Sequence, residues 1–211
     1  MTPHDSNWRG IDLAPGPTRA RLLTDAGLWA LSLLASVTGL AFTTIQIMEK
    51  VAILQDPFTR LACDVNSTLS CSQVLTAWQS SVLGPPNAFV GAAMFAILGS
   101  AALSGLLAST LSRAYVATLW GLAVFFLAFA SWFMYETAFG IGALCLWCIG
   151  VTTAVVVLCA TLTRLADRGN AFGQNRFGRA VAAAVRRRLD LLVWGGWSLG
   201  IAALLLIGLG T

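Results

Sequence analysis

The chain has 211 residues, of which 57% are hydrophobic and only 10% are charged. A water-soluble domain needs a polar exterior that this composition cannot provide, so we predict an integral membrane protein. The formal net charge of +4 comes from arginines near the ends of apolar stretches and does not indicate nucleic-acid binding.

Five stretches reach the length of about 20 apolar residues that a transmembrane helix needs. They cover residues 27–48, 88–111, 114–139, 141–162 and 191–210. The first stretch is longer than the roughly 7–15 residues of a signal-peptide core, and Glu49 and Lys50 end it. We therefore predict that it is a retained anchor helix and that the fold is all-α.

Basic residues predict the orientation, because Lys and Arg gather on the cytoplasmic side of short loops. Of the 13 Lys and Arg, only Lys50 and Arg60 lie between the first two stretches, and none lies between the third and fourth. The other eleven would share the opposite side: Arg9, Arg19, Arg21, Arg113, Arg164, Arg168, Arg176, Arg179, Arg186, Arg187 and Arg188. We predict a multi-pass protein of the inner (plasma) membrane with a cytoplasmic N terminus.

This topology divides the chain into a cytoplasmic tail (1–26), a four-helix bundle (27–165) with a periplasmic loop (49–87), a basic cytoplasmic loop (166–190) and a fifth helix (191–211). The basic loop ends with "RFGRAVAAAVRRRLDLL", which could form a short helix on the inner leaflet. The alternative is a flank that only sets the topology.

Four of the five cysteines fall on the outer side in this topology. Cys63 and Cys71 lie in the long loop, and Cys145 and Cys148 begin the fourth stretch. The outer side is oxidising in bacteria, so disulfides persist there. Cys159 lies about 16 Å deeper along a helix, and we expect it to be an inert buried thiol.

The spacing of Cys145 and Cys148 places both thiols on one face of a helix, at its N terminus. That position stabilises a thiolate and suits cycling between dithiol and disulfide. A polar loop pair beside it would allow thiol–disulfide exchange between the two pairs. A four-cysteine zinc site and two inert structural disulfides are the alternatives.

Three features in this order resemble the vitamin K epoxide reductase family in its bacterial form. They are C-x7-C in the first outer loop, "PPNAFVG" at the start of the second stretch, and C-x-x-C at the start of the fourth. The resemblance covers roughly residues 25–165. It implies a four-helix bundle around a quinone, menaquinone or ubiquinone, and no metal.

The resemblance implies a role for each cysteine and for Asn87. Cys63 would exchange with a thioredoxin-like (DsbA-type) protein, and Cys71 would link to Cys145. Cys148 would then pass electrons to the quinone. Asn87 would hydrogen-bond a quinone carbonyl, and its alternative role is to cap the second helix.

We expect Val74, Leu75 and Thr152 to contact the quinone. Val74 and Leu75 could form an apolar lid over it, or alternatively dip into the headgroup region. Vertebrate members have tyrosine where this chain has Thr152, so we expect a plain quinone rather than vitamin K epoxide as the substrate. Many bacterial members continue into a fused thioredoxin-like domain, whereas this sequence stops at Thr211, so we expect a separate periplasmic partner.

The predicted function is therefore that of a membrane thiol–quinone oxidoreductase that supports disulfide bond formation in exported proteins. The alternative is a non-enzymatic scaffold or small transporter with structural disulfides. A transporter usually carries charged groups inside its helices, and these stretches have only Glu136, near one end.

Overall fold

The computed structural model describes residues 19–107 and 111–210, so most of the predicted tail 1–26 lies outside the described residues. Within those ranges the chain is helical, without a strand. The helices are α1 (Arg19–Gln55), α2 (Cys71–Thr76), α3 (Asn87–Leu107), α4 (Arg113–Tyr135), α5 (Leu146–Arg168), α6 (Arg176–Arg186) and α7 (Leu189–Gly210). Five of them, α1, α3, α4, α5 and α7, are long and apolar enough to cross a membrane. The all-α membrane fold is therefore confirmed.

The bundle is built from α1, α3, α4 and α5. Helix α1 packs against both α3 and α5, and α4 packs against α5. Their shared core includes Phe95, Ala123 and Leu158, all fully buried. Close approach of α1 and α3 depends on Gly39, because a Cβ there would lie 2.2 Å from the Phe95 ring. Helix α7 is peripheral, because only 11% of its most apolar segment is buried.

The connection between α4 and α5 differs from the predicted boundary at residue 141. Helix α4 continues as a π-helical segment, Glu136–Ile141, and Gly142 then turns the chain with a left-handed φ of +73°. Leu144 is extended by a bridge to Leu69, so α5 begins only at Leu146. Cys145 is therefore the N-cap of α5, and Cys148 lies in its first turn.

The basic segment contains the short helix that its sequence predicts. The side chain of Asn175 caps α6 by accepting a hydrogen bond from the Gly178 N–H at 2.8 Å. The following helix is tied back to the bundle, because Arg164 of α5 forms an ion pair of 2.6 Å with Asp190 of α7. That α6 lies on a leaflet stays a prediction.

Candidate redox site

The loop between α1 and α3 is folded around the carboxylate of Asp64. That carboxylate accepts hydrogen bonds from the Leu61 N–H at 3.2 Å, the Ser70 hydroxyl at 3.0 Å and both the N–H and the hydroxyl of Ser72. Burial raises the pKa of Asp64, but the hydrogen bonds from Ser72, Leu61 and Ser70 outweigh burial and hold it below its ordinary value. The loop is therefore compact.

A disulfide joins Cys63 to Cys71 across this loop, with a Cα–Cα distance of 5.7 Å. Cys71 opens α2, and Ser70 caps that helix. Cys63 is 4% exposed and Cys71 is fully buried. A thiol from outside can therefore reach this disulfide only if the loop moves.

A short backbone bridge holds the loop against the α4–α5 connection. Leu144 donates its N–H to the Thr68 carbonyl at 2.7 Å and accepts from the Ser70 N–H at 3.0 Å. Cys145 directly follows Leu144, and Cys71 directly follows Ser70, whose N–H bonds the Leu144 carbonyl. Both cysteines lie in one buried cluster with Cys63 and Cys148. The structure thus brings the two cysteine pairs together at one end of the bundle.

Cys145 and Cys148 are free thiols at the N terminus of α5. The Cys148 thiol donates to the Cys145 sulfur and lowers the pKa of Cys145, and the N–H groups of Cys148 and Trp147 lower it further. Cys145 is therefore suited to be the thiolate of the pair. Gln46 of α1 donates its side-chain N–H to the Cys148 sulfur at 3.3 Å.

A cavity between α1, α3, α4 and α5 extends to the Cys148 sulfur. It encloses about 740 Å³, its open mouth included, and most of its wall is apolar. The aromatic part of the wall comes from Phe126, Phe129 and Phe133 of α4. The polar side chains on its wall, besides Cys148, are Thr43, Gln46, Lys50, Ser80, Asn87 and Thr152.

A comparison with known protein families identifies the family to which this chain belongs. The model of the vitamin K epoxide reductase family matches residues 30–163, which are 134 of the 211 residues. The chain belongs to the vitamin K epoxide reductase family. It is accordingly a multi-pass membrane oxidoreductase with a disulfide between Cys63 and Cys71. No curated protein matches the chain.

The four residues that were expected to contact a quinone in this member of the vitamin K epoxide reductase family lie in two places. Asn87, Leu75 and Thr152 line the cavity. Val74 does not line it and is fully buried in the cysteine cluster. The hydroxyl of Thr152 donates to the Cys148 carbonyl at 2.9 Å, one turn earlier in α5.

Asn87 is the first residue of α3, and its side chain does not cap that helix. Its Nδ2 donates to the Gln79 carbonyl at 2.6 Å, while its buried Oδ1 has no hydrogen-bond partner among the described residues. The capping role that the sequence allowed is therefore wrong. The unpaired oxygen belongs to a residue of the cavity wall.

The sequence did not identify three polar residues of α1 that belong to this site of the vitamin K epoxide reductase fold. Gln46 and Lys50 line the cavity, and Lys50 donates to the Leu75 carbonyl and the Ser80 hydroxyl. Glu49 accepts a hydrogen bond from the Trp147 indole at 3.0 Å. A polar side chain in an apolar span is itself an indication of function, and Gln46 could have been found by that criterion.

A thiolate metal site does not fit the loop pair of this vitamin K epoxide reductase homologue. In the part of the chain that the structure describes, Glu49, Cys63 and Cys71 form one group with metal-ligating atoms close together. Both sulfur atoms, however, are joined in a disulfide and are not available as thiolates. The pairing favours redox chemistry over the zinc alternative.

Proposed function

We propose that this protein is a thiol–quinone oxidoreductase. It takes two electrons from the dithiol of a thioredoxin-like (DsbA-type) protein and passes them through Cys63 and Cys71, then through Cys145 and Cys148, to a membrane quinone. One observation carries the proposal: the loop disulfide and the helix dithiol share a buried cluster, and Cys148 lines an apolar cavity. Membership of the family supports the same chemistry.

The first exchange begins when a partner thiolate attacks the Cys63 sulfur. The Cys63–Cys71 bond breaks, Cys71 leaves as a thiolate, and the second partner thiol displaces Cys63 to form the partner's disulfide. The partner has then lost two electrons, and Cys63 and Cys71 hold them as thiols. Because both sulfurs are covered in the described structure, this step includes a movement of the loop.

The second exchange moves the electrons into the bundle. Starting from a Cys145–Cys148 disulfide, the Cys71 thiolate attacks Cys145, and Cys148 leaves as a thiolate. Cys63 then attacks Cys71, which restores the loop disulfide and releases Cys145. The dithiol of α5 closes again to a disulfide when its two electrons and two protons pass to the quinone.

The cavity residues fit a quinone. A quinone accepts two electrons and two protons, and its flat apolar ring carries two polar oxygens, at opposite edges. Phe126 and Phe129 offer apolar surface, and Gln46 and Lys50 carry donors at the cavity wall. The unpaired Oδ1 of Asn87 can accept a hydrogen bond from a quinol hydroxyl. These features suit menaquinone and ubiquinone alike.

We place the cysteine pairs on the periplasmic side of the inner (plasma) membrane. The charge asymmetry supports this orientation, since eleven of the 13 basic residues would share the cytoplasmic side. The partner would be a periplasmic thioredoxin-like protein. In this position the protein would supply oxidising equivalents for disulfide formation in exported proteins.

The test is a purified system in detergent with a reduced thioredoxin-like donor and either ubiquinone or menaquinone. We expect wild-type protein to reduce the quinone and oxidise the donor in equal amounts. Cys148→Ser should abolish quinone reduction, and Cys63→Ser, which lacks the thiol that resolves the mixed disulfide, should accumulate a Cys71–Cys145 disulfide. Cys159→Ala, which changes a buried thiol in the other core cluster, should behave like wild type. Unchanged turnover in Cys148→Ser would contradict the proposed electron path, and a wild-type protein that reduces no quinone would favour the scaffold alternative.

A further inference from the structure

Glu49 lies beside the loop disulfide, near the outer end of α1. Its Oε2 is 3.5 Å from the Cys63 sulfur, and its Oε1 is 3.6 Å away. The carboxylate and the sulfurs of Cys63 and Cys71 all lie within 4.8 Å of one another. A disulfide sulfur has no proton to donate, so this contact gains a hydrogen bond only when Cys63 becomes a thiol.

Trp147 holds this carboxylate in place. Its indole N–H donates to Glu49 Oε1 at 3.0 Å and leaves Oε2 facing the Cys63 sulfur. Trp147 lies between Cys145 and Cys148 in the sequence. Glu49 therefore connects the two cysteine pairs through one hydrogen bond and one sulfur contact.

The chemistry at this position needs a proton acceptor. Cys63 must lose its proton before it can attack Cys71, because the thiolate is the nucleophile. Its side chain is only 4% exposed, so bulk water has little access to the sulfur. Glu49 is half-buried, so a proton that its carboxylate takes from Cys63 can pass on to solvent.

The other ionisable groups near Glu49 and Cys63 each interact with a different partner. On the loop, both oxygens of the Asp64 carboxylate accept hydrogen bonds, from Leu61, Ser70 and Ser72. On α1, Lys50 is turned to the Leu75 carbonyl and the Ser80 hydroxyl. On α5, the two thiols Cys145 and Cys148 interact with each other.

We infer that Glu49 is the general base for the attack of Cys63 on the Cys71–Cys145 disulfide. Glu49 takes the proton of the Cys63 thiol, the Cys63–Cys71 bond forms, the Cys71–Cys145 bond breaks, and Cys145 leaves as a thiolate. No electrons leave the protein in this step. The inference rests on the electron path of the proposed function, and Trp147 is the positioning residue.

The decisive measurement needs no quinone. Protein with Cys148→Ser is reduced, oxidised with one equivalent of diamide and quenched with acid at intervals, and the cysteine pairing is read by alkylation and peptide mass spectrometry. We expect Cys71–Cys145 to convert to Cys63–Cys71, and Glu49→Gln to slow this conversion about a hundredfold at pH 7. The deficit should shrink as pH rises, because hydroxide then deprotonates Cys63.

Matched variants separate base catalysis from structure. Glu49→Gln keeps an oxygen for the Trp147 N–H, and Glu49→Asp keeps a carboxylate, so Glu49→Asp should recover most of the rate. Asp56→Asn removes an exposed carboxylate beyond the end of α1 and should match the parent. Trp147→Phe should slow conversion while keeping the pH profile of the parent.

Equal rates in Glu49→Gln and the parent, or a deficit that is the same at every pH, would overturn the assignment. Turnover of wild-type protein with donor and quinone is measured separately. If wild type reduces no quinone while the exchange still depends on Glu49, the proposed function fails and the role of Glu49 stands.

Discussion

Asp64 directly follows Cys63 in the sequence, and its two carboxylate oxygens have separate hydrogen-bond donors. Oδ1 receives the Ser70 hydroxyl and the Ser72 N–H, and Oδ2 receives the Leu61 N–H and the Ser72 hydroxyl. Hydrogen bonds to a charged acceptor contribute more than neutral ones. This single side chain therefore fixes both ends of the segment that carries Cys63 and Cys71.

Asp64→Asn replaces one acceptor oxygen by an amide N–H group and removes the charge. We expect the free energy of opening the loop to fall by about 1–3 kcal/mol, so that dithiothreitol reduces Cys63–Cys71 at least several times faster. Asp56→Asn is the control, since Asp56 is exposed and accepts one hydrogen bond, from the Phe58 N–H. Equal reduction rates in the two variants would contradict the role of Asp64.

The loop should also respond to acid through Asp64. Its pKa in the folded protein is lower than its ordinary value of 3.8. A depressed carboxylate pKa contributes stability that is complete above the ordinary value and is lost as pH falls through the folded one. Amide hydrogen exchange at Leu61 and Ser72 should therefore be unchanged between pH 7 and 5 after correction for intrinsic rates, and faster below about pH 4.

The Cys145 thiol should be more acidic than an ordinary cysteine. Its pKa lies below the ordinary value of 9.0, first because the Cys148 thiol donates to its sulfur. Cys148→Ala removes that donor, so the pH midpoint for alkylation of Cys145 by iodoacetamide should rise in this variant under reducing conditions. Peptide mass spectrometry reads Cys145 separately from the other cysteines, and an unchanged midpoint would mean that the helix N–H groups alone set the acidity.

At the scale of elements, the bridge between Leu69 and Leu144 holds the loop that carries Cys63 and Cys71 against the α4–α5 connection. Leu144→Pro removes the N–H that bonds Thr68, while Leu144→Ala keeps it. Losing one backbone hydrogen bond should reduce the docked fraction of the loop by about two- to tenfold. In the Cys63→Ser background, where the mixed disulfide is not resolved, the yield of Cys71–Cys145 should fall accordingly in Leu144→Pro and stay higher in Leu144→Ala.

Helices α1 and α5 approach closely where Gly150 faces Phe42. A Cβ at Gly150 would lie 2.5 Å from the Phe42 ring, which in turn contacts Trp147 at a centroid distance of 5.9 Å. Gly150→Ala should destabilise the protein by about 1–3 kcal/mol through overpacking, despite the better helix propensity of alanine.

Thermal unfolding in detergent provides the measurement for Gly150→Ala. Gly121→Ala is the matched control, because a Cβ at Gly121 in α4 meets nothing within 4 Å. We expect that variant to be as stable as wild type or more stable. Phe42→Leu should restore part of the stability lost in Gly150→Ala, and a lack of coupling between the two changes would contradict the contact.

The helices could be predicted where a local residue pattern determines them. Long apolar stretches determine the spanning helices, and the cysteine spacing indicated which thiols would pair. The start of α5 was missed by five residues, because the bridge to Leu69 holds Leu144 out of the helix. The contact of Glu49 with Trp147 joins residues 98 positions apart, and no local pattern encodes such a pair.

Val74 and Asn87 show that the sequence did not predict every residue of the cavity wall correctly. Both were expected to contact the quinone, and of the two only Asn87 lines the cavity. Val74 and Leu75 both belong to the cysteine cluster, and of these two neighbours only Leu75 also lines the cavity. Which of two adjacent residues reaches the cavity depends on how α2 packs in the folded chain, and the local sequence pattern does not encode that packing.

At the scale of the whole molecule, the two ends of the bundle differ in character. One end carries both cysteine pairs, Asn87 and the cavity that Asn87 and Cys148 line. The other end carries α6, the Arg164–Asp190 pair and a core cluster that contains Cys159. If the arginine-rich end faces the cytoplasm, the redox end faces the oxidising side, and the partner and the quinone reach one common surface.

This orientation can be measured with two single cysteines and a membrane-impermeant maleimide. Ser67→Cys places a thiol in the exposed part of the redox loop, and Gln174→Cys places one in the exposed turn before α6. The five native cysteines are each at most 7% exposed, so their background should be low. In intact cells we expect Ser67→Cys to be labelled, and Gln174→Cys only after the membrane is permeabilised. The reverse pattern would place the cysteine pairs on the cytoplasmic side, where disulfides are kept reduced, and would remove the physical basis for oxidising exported proteins.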